Sequence, residues 1–167
     1  MNKTITYITF GLILILFQQL IFNNINLFGY VNPFIYILFI IYYPIKNNRI
    51  LFICLSFCIG LTVDIFSDTL GLHSAACLVL TYLRPVILKI AFGLAYIHQV
   101  IKFQNIDFKN RFVYLTLCTV LHNFIIFSLE IFNFLKFSYI IEKVFLTTLF
   151  TVFLSLIFSY LFKPSKK

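Results

Sequence analysis

The side chains that could do chemistry in this chain are concentrated between Gly60 and Pro85, where Asp64, Asp68, His73 and Arg84 all occur. Carboxylates near a histidine are the groups used for acid–base catalysis and for metal binding. Two acids at a helix end, however, are far more often capping groups. Which reading holds depends on the surrounding motifs and on the elements that position these residues.

Reaction motifs are missing from the sequence. It contains no Gly-x-Ser-x-Gly, no Gly-x-x-x-x-Gly-Lys-Ser/Thr, no His-Glu-x-x-His and no glycine-rich nucleotide loop. The four cysteines fall inside apolar runs without zinc spacing; Cys54 and Cys58 share one helix face at i,i+4, and we expect them to pack in the core. The sequence therefore predicts no enzyme, no catalytic residue, no metal site and no cofactor.

Composition indicates an integral membrane protein. The chain has 167 residues, of which 62% are hydrophobic and 11% are charged, and its mean hydropathy is +1.01. A soluble domain of this length has too little interior to bury so much apolar surface. The long runs are apolar on every face, which excludes the alternating pattern of a membrane barrel. We predict one all-α domain over residues 1–167, a six-span transmembrane helical bundle.

The sequence contains six apolar runs, and at about 20 residues for each membrane crossing they account for most of the chain. The second is short, with Pro33 near its start and Pro44 near its end, and the connection from Ile97 to Arg111 has the mixed pattern of an amphipathic segment lying along lipid headgroups. The predicted spans are Thr4 to Phe22, Phe28 to Ile45, Ile50 to Phe66, Leu72 to Tyr96, Phe112 to Phe132 and Phe137 to Phe162.

The formal charge of +8 is distributed as the positive-inside rule requires. Lysine and arginine cluster at one set of predicted helix ends, whereas the other set has Lys136 in a loop. This asymmetry predicts contact with membrane lipid and not with nucleic acid. It also predicts a multi-pass membrane protein with both termini in the cytoplasm.

Ionisable groups inside a span are costly and therefore mark sites. Asp64 lies one turn from the predicted end of the third span, on one face with Gly60 and Asp68. It is either a carboxylate that reaches interfacial water or a partner of His73 across the turn that contains Gly71. In the second case it would lock the third and fourth spans together.

Arg84 lies eleven residues after His73, close to three whole helical turns, so the two share a stripe of the fourth span. Arg84 is predicted near the middle of the bilayer, and Pro85 could break the helix beside it. His122 and Asn123 lie near the middle of the fifth span. The interpretation we favour for His122 is a core histidine with its hydrogen bonds satisfied, and the alternative is that the two residues bond Arg84 or backbone that Pro85 leaves unpaired. Arg84 itself is either a structural clamp or a contact for a partner or substrate.

Several motifs together resemble the rod shape-determining protein MreD family. The resemblance in length and topology extends over nearly the whole chain, with the sixth span and the tail matching only in character. The motifs lie between Leu27 and Pro85, and none is catalytic. They are Leu27-Phe28-Gly29-Tyr30-Val31-Asn32-Pro33, the basic turn at Lys46 to Arg49, Gly60-x-x-x-Asp64, Thr69-Leu70-Gly71-Leu72-His73-Ser74-Ala75 and Tyr82-Leu83-Arg84-Pro85.

The resemblance implies a non-enzymatic scaffold of the cell-elongation complex in the bacterial inner membrane, which helps to organise peptidoglycan synthesis and to maintain cell shape. It implies direct pairing with MreC and work alongside MreB, RodA and a penicillin-binding transpeptidase. It also implies a fold similar to the substrate-binding components of energy-coupling-factor transporters. The alternative function is therefore a vitamin-type substrate-binding component of such a transporter. On the scaffold hypothesis, Gly60, Asp64, Gly71, His73, Arg84 and Pro85 are structural or partner-binding residues.

Overall fold

The computed structural model describes residues 3–26, 31–45, 48–93, 107–132 and 134–161. Helices dominate these ranges, which confirms the all-helical class. The helices are α1 (Lys3–Leu20), α2 (Ile37–Tyr42), α3 (Arg49–Ser67), α4 (Leu72–Phe92), α5 (Phe108–Ile131) and α6 (Phe137–Leu161), with short 3-10 turns at Phe22–Asn24 and Phe134–Lys136.

Within the described ranges, five helices are long and apolar enough to cross a membrane, namely all except α2. Their outer faces expose large apolar side chains along their whole lengths, as helices in contact with lipid tails do. The chain is thus a multi-pass membrane protein. The predicted amphipathic connection falls mostly outside the described residues; its last residues belong to α5, which begins at Phe108 instead of the predicted Phe112.

The second apolar run departs from the predicted continuous span. Residues 31–45, which we call the central segment, contain only the six-residue helix α2, preceded by irregular backbone at 31–36. Every residue from Pro33 to Ile41 is buried. Pro33 and Pro44 lie on either side of α2, where the missing N–H groups and the restricted preceding residues limit how far a helix can extend.

The five long helices surround the central segment. Consecutive helices pack side by side from α3 to α6, and α1 packs on α3. The Phe17 and Phe158 rings, 6.2 Å apart, join α1 to α6. The central segment therefore fills the middle of the bundle, where its backbone is shielded from lipid.

Chain direction alternates between successive crossings. Tyr7, near the start of α1, packs on Tyr43 at the end of the central segment, and Asn23, just after α1, bonds Ser67 at the end of α3. Helix α5 runs antiparallel to α6, since Asn123 bonds Thr148 whereas Glu130, further along α5, pairs with Lys143, earlier on α6. The central segment counts as one crossing, so the first and last helices begin and end at the same end of the bundle. We call this the basic end, and the opposite end the acidic end, after the charges described below.

Candidate functional site

Asp64 joins α3 to α4. Its side chain is 4% exposed. Oδ1 accepts hydrogen bonds from the backbone N–H of His73 at 2.9 Å and from the Thr69 hydroxyl at 2.7 Å, and Oδ2 accepts from the N–H of Ser74 at 2.8 Å. A carboxylate at a helix N-terminus pairs N–H groups that have no intrahelical partner and meets the positive end of the helix dipole. Asp64 thus caps α4, through the backbone of His73 and not its ring.

Gly60 and Gly71 permit this joint for different reasons. A Cβ on Gly60 would lie 2.6 Å from Ser74 Cα and 2.8 Å from His73 O, which are backbone atoms that cannot rotate away. Gly71 precedes α4 with φ of +89°, a conformation that glycine adopts without strain. Close contact of α3 with α4 therefore requires a glycine at position 60, and the turn between them favours one at 71.

The His73 ring contacts the central segment instead of Asp64. Its Nδ1 lies 2.7 Å from the hydroxyl of Tyr36, which is also 2.9 Å from Nε2 of His122. The chain of bonds continues from His122 to Asn123 and from Asn123 to Thr148 on α6. Tyr36 and His122 are fully buried. One hydroxyl of the central segment is thereby tied to α4, α5 and α6.

The irregular backbone just before Tyr36 forms hydrogen bonds with side chains of the first and last helices, α1 and α6. Gln18 of α1 donates to Pro33 O at 3.1 Å and accepts from the N–H of Ile35 at 2.8 Å. Thr151 of α6 accepts from the N–H of Phe34 at 3.2 Å. Non-helical backbone at membrane depth is tolerated only where protein satisfies it in this way.

Arg84 holds the other end of the central segment. Its Nη2 donates to the carbonyls of Ile41, at 3.0 Å, and Tyr43, and its Nε donates to the hydroxyl of Tyr114 at 2.8 Å. The guanidinium carbon also lies 4.9 Å from the centre of the Phe52 ring. The side chain is 3% exposed. A cation at the C-terminus of α2 pairs with carbonyls that have no helical partner, and the helix dipole favours it there.

The structure thus separates the predicted site residues into two groups. Gly60, Asp64 and Gly71 lie at the α3–α4 joint, whereas the His73 ring and Arg84 contact the central segment at its two ends. Pro85 lies inside α4, which continues to Phe92 without a break.

His122 is the hydrogen-bonded core histidine that the sequence favoured: it is fully buried and bonds Tyr36 and Asn123 instead of Arg84. One sequence-based expectation is wrong. Cys54 and Cys58, expected in the core, are exposed on the outer face of α3, because that face of the helix points away from its neighbours. Sequence reasoning also missed Gln18, Tyr36, Tyr114 and Thr151. A polar residue deep in an apolar run is the signal that would have found Gln18 and Thr151.

A cavity of about 470 Å³ opens at the acidic end, beside the turn between α3 and α4. His73 and Phe34 line it, together with Asp68, Glu130 and Lys143. Its volume falls within the range of small-molecule sites. In the described part of the chain, no group of three or more metal-ligating side chains comes together. The buried hydrogen bonds described above hold the central segment against the helices around it.

Comparisons of the chain with protein-family models, with curated proteins and with solved structures find no match.

Proposed function

We propose that the chain is a non-enzymatic scaffold of the cell-elongation complex, of the MreD type, embedded in the bacterial inner membrane with both termini in the cytoplasm. The observation that supports this proposal is how the buried polar groups are used. Asp64, Arg84 and Tyr36 are engaged in bonds that fix one helix or segment against another. Such bonds make a rigid body, which is what a protein that positions partners requires.

Three of the motifs that carry the resemblance to MreD, those within residues 60–64, 69–75 and 82–85, coincide with these joints. Gly60 and Asp64 lie where α3 meets α4, and Arg84 lies where α4 meets the central segment. Because these residues hold the helices together, the resemblance supports an architecture shared with the MreD family. It supports a shared partner only to the extent that the architecture determines which partner binds.

On this proposal, the outer face of the α3–α4 pair receives the single membrane anchor of MreC. The joint fixes the relative position of the two helices, and their outward side chains include Leu61 and Val79, both 40% exposed. Helices associate in a membrane through close packing of such faces. MreB, RodA and a penicillin-binding transpeptidase belong to the same proposed complex.

The test is a pull-down of the tagged protein from its own membranes in mild detergent, followed by identification of the bound proteins by mass spectrometry. Recovery of MreC with wall-synthesis enzymes supports the proposal. Leu61→Trp and Val79→Trp should each reduce MreC recovery, because a bulky side chain prevents close helix packing. Leu149→Trp, on the exposed face of α6, is the matched control and should leave recovery unchanged. Failure to recover MreC with the unmodified protein would contradict the proposal.

The cavity favours a second candidate, the substrate-binding component of an energy-coupling-factor transporter. It lies at the end of the bundle that the charge pattern predicts to face outwards. The same pull-down distinguishes the two functions, since a transporter component should retain a pair of ATPases and a coupling membrane protein instead of MreC.

A further inference from the structure

The cavity at the acidic end has an apolar wall and a polar rim. Phe34, Phe127 and Ile126 supply apolar surface from the central segment and α5. Phe66 also lines the cavity and is 68% exposed on the outside of α3, so the rim reaches the surface that lipid would contact. The polar lining residues are Asn23, Asn32, Ser67, Asp68, Thr69, His73, Glu130 and Lys143.

The hydrogen-bond chain behind the cavity determines what His73 presents to it. Asn123 donates its amide N–H to Thr148 at 3.0 Å, so its carbonyl oxygen faces His122 Nδ1 at 3.4 Å. A neutral imidazole has one N–H and one bare nitrogen, and the proton of His122 must then be on Nδ1. Nε2 of His122 is consequently an acceptor, and the hydroxyl of Tyr36 donates to it.

Tyr36 has only one proton to donate, so its oxygen must accept from His73 Nδ1–H. The remaining nitrogen of His73, Nε2, is then a bare acceptor. It forms no hydrogen bond with any described residue, although the side chain is 95% buried, with 5% exposed, and lines the cavity. Nε2 is open to the cavity, where it can accept a hydrogen bond from an N–H group of a ligand.

Other lining groups have the same preference for a donor. The Asp68 carboxylate is exposed and forms no side-chain hydrogen bond within the described part of the chain. Glu130 pairs with Nζ of Lys143 at 3.4 Å, and Lys143 is the one lysine among the described lining residues. Thr69 already donates to Asp64. Two carboxylates and one ammonium leave the lining with a formal charge of −1, which favours a cation.

We propose that this cavity binds a primary ammonium group attached to an apolar body. The ammonium N–H groups donate to His73 Nε2 and to the carboxylate of Asp68, and the apolar body packs against Phe34 and Phe127. Two sources share this chemistry: the headgroup of phosphatidylethanolamine, entering past Phe66, and a soluble amine.

The test compares probes that differ only in their N–H donors, using the purified full-length protein. Native mass spectrometry compares dioleoylphosphatidylethanolamine with dioleoylphosphatidylcholine, and calorimetry compares phenethylamine with phenethyltrimethylammonium. We expect the N–H-bearing member of at least one pair to bind about tenfold more tightly, since a quaternary ammonium cannot donate to His73. Preference in the lipid pair alone assigns the lipid source, and preference in the amine pair alone assigns the soluble source.

Two substitutions test the role of charge at the rim. Asp68→Asn should lower the affinity about fivefold by removing one carboxylate. Asparagine tolerates the left-handed conformation of this position, where φ is +51°, so the fold is retained. Asp107→Asn, the same change at an exposed position before α5, is the matched control and should have no effect.

Equal binding within both pairs, or an affinity unchanged by Asp68→Asn, would overturn the inference. The measurement uses the purified chain alone. A negative result therefore leaves the pull-down test of the scaffold proposal unaffected, and the reverse is also true.

Discussion

Gly60 lies at a contact between the backbones of α3 and α4 that leaves no room for a methyl group. Its missing Cβ allows the backbone of α4 to lie directly against α3, with Ser74 and His73 at contact distance. Adding a methyl group there requires the two helices to separate. Separation also lengthens the bonds by which Asp64 caps α4.

We therefore predict that Gly60→Ala lowers the free energy of unfolding by about 1–3 kcal/mol, the usual cost of overpacking a tight interface. Thermal unfolding in detergent measures the effect. Gly11→Ala is the control, since its Cβ would meet the ends of the Ile59 and Phe39 side chains at 3.0 and 3.2 Å, and side chains can move. Equal melting temperatures for the two variants would contradict the explanation.

Arg84 is the buried charge on which the end of the central segment depends. Arg84→Leu would leave the Ile41 and Tyr43 carbonyls without this donor in an apolar interior. We expect a loss of stability of about 3 kcal/mol or more, because charged hydrogen bonds contribute about 1.5–3 kcal/mol each. Arg84→Lys keeps the charge, so its stability should lie between that of the unmodified protein and that of Arg84→Leu. Lys89→Leu, an exposed charge on the same helix, should have little effect on unfolding; a loss as large as that of Arg84→Leu would mean that helix charge alone matters.

At the scale of elements, the central segment is the feature that distinguishes this bundle. Its irregular half is paired by side chains from α1 and α6, and its helical half ends on Arg84 from α4. No pairing within the segment could replace these bonds, since its backbone groups point to different helices. Its position therefore depends on the helices around it.

Loss of one such side chain should loosen the segment before the bundle unfolds. Gln18→Leu removes the bonds to Pro33 O and Ile35 N–H, which together contribute about 2 kcal/mol. The equilibrium constant for local opening of the segment should therefore rise about thirtyfold. The rate at which N-ethylmaleimide labels a cysteine at Ile37, which is 0% exposed, reports this opening in a background without native cysteines.

Gln19→Leu is the matched control for the labelling experiment. Gln19 contacts Val63 and Ser67 of α3 instead of the central segment. Its replacement should leave the labelling rate close to that of the unmodified background. If both variants label equally fast, the bonds of Gln18 do not hold the segment.

The central segment also marks the limit of what the sequence predicts. Apolar length predicted the five long helices to within a few residues, and Gly71 and Asp68 marked the turn between α3 and α4. Residues 31–45 gave no comparable signal, because a run that is apolar on all faces has no periodicity to distinguish helix from irregular backbone. The bonds that stabilise it come from Gln18, 17 residues before Ile35, and Thr151, 117 residues after Phe34. Only the folded chain brings these residues together.

At the scale of the whole molecule, charge divides the two ends of the bundle. Among the described residues, Arg49, Lys89, Lys109 and Arg111 lie towards the basic end, where α1 begins and α6 ends. The acidic end carries Asp68, Glu130 and Glu142 together with Lys136 and Lys143, of which Lys143 is paired to Glu130. Lysine and arginine in short loops favour the cytoplasmic side during insertion, whereas acids contribute little. The basic end is therefore the one we expect in the cytoplasm.

Single cysteines at the two ends test this orientation in cells whose cytoplasmic membrane is intact. Leu70, fully exposed in the turn at the acidic end, and Asp107, exposed before α5, are both suitable positions for cysteine in a background without native cysteines. A membrane-impermeant maleimide should label Leu70→Cys in cells whose outer permeability barrier has been removed, and Asp107→Cys only after lysis. The opposite order would place the cavity in the cytoplasm. An amine from outside the cell or a lipid of the outer leaflet could not then be its ligand, and the face proposed for MreC would have to meet an anchor of the reverse orientation.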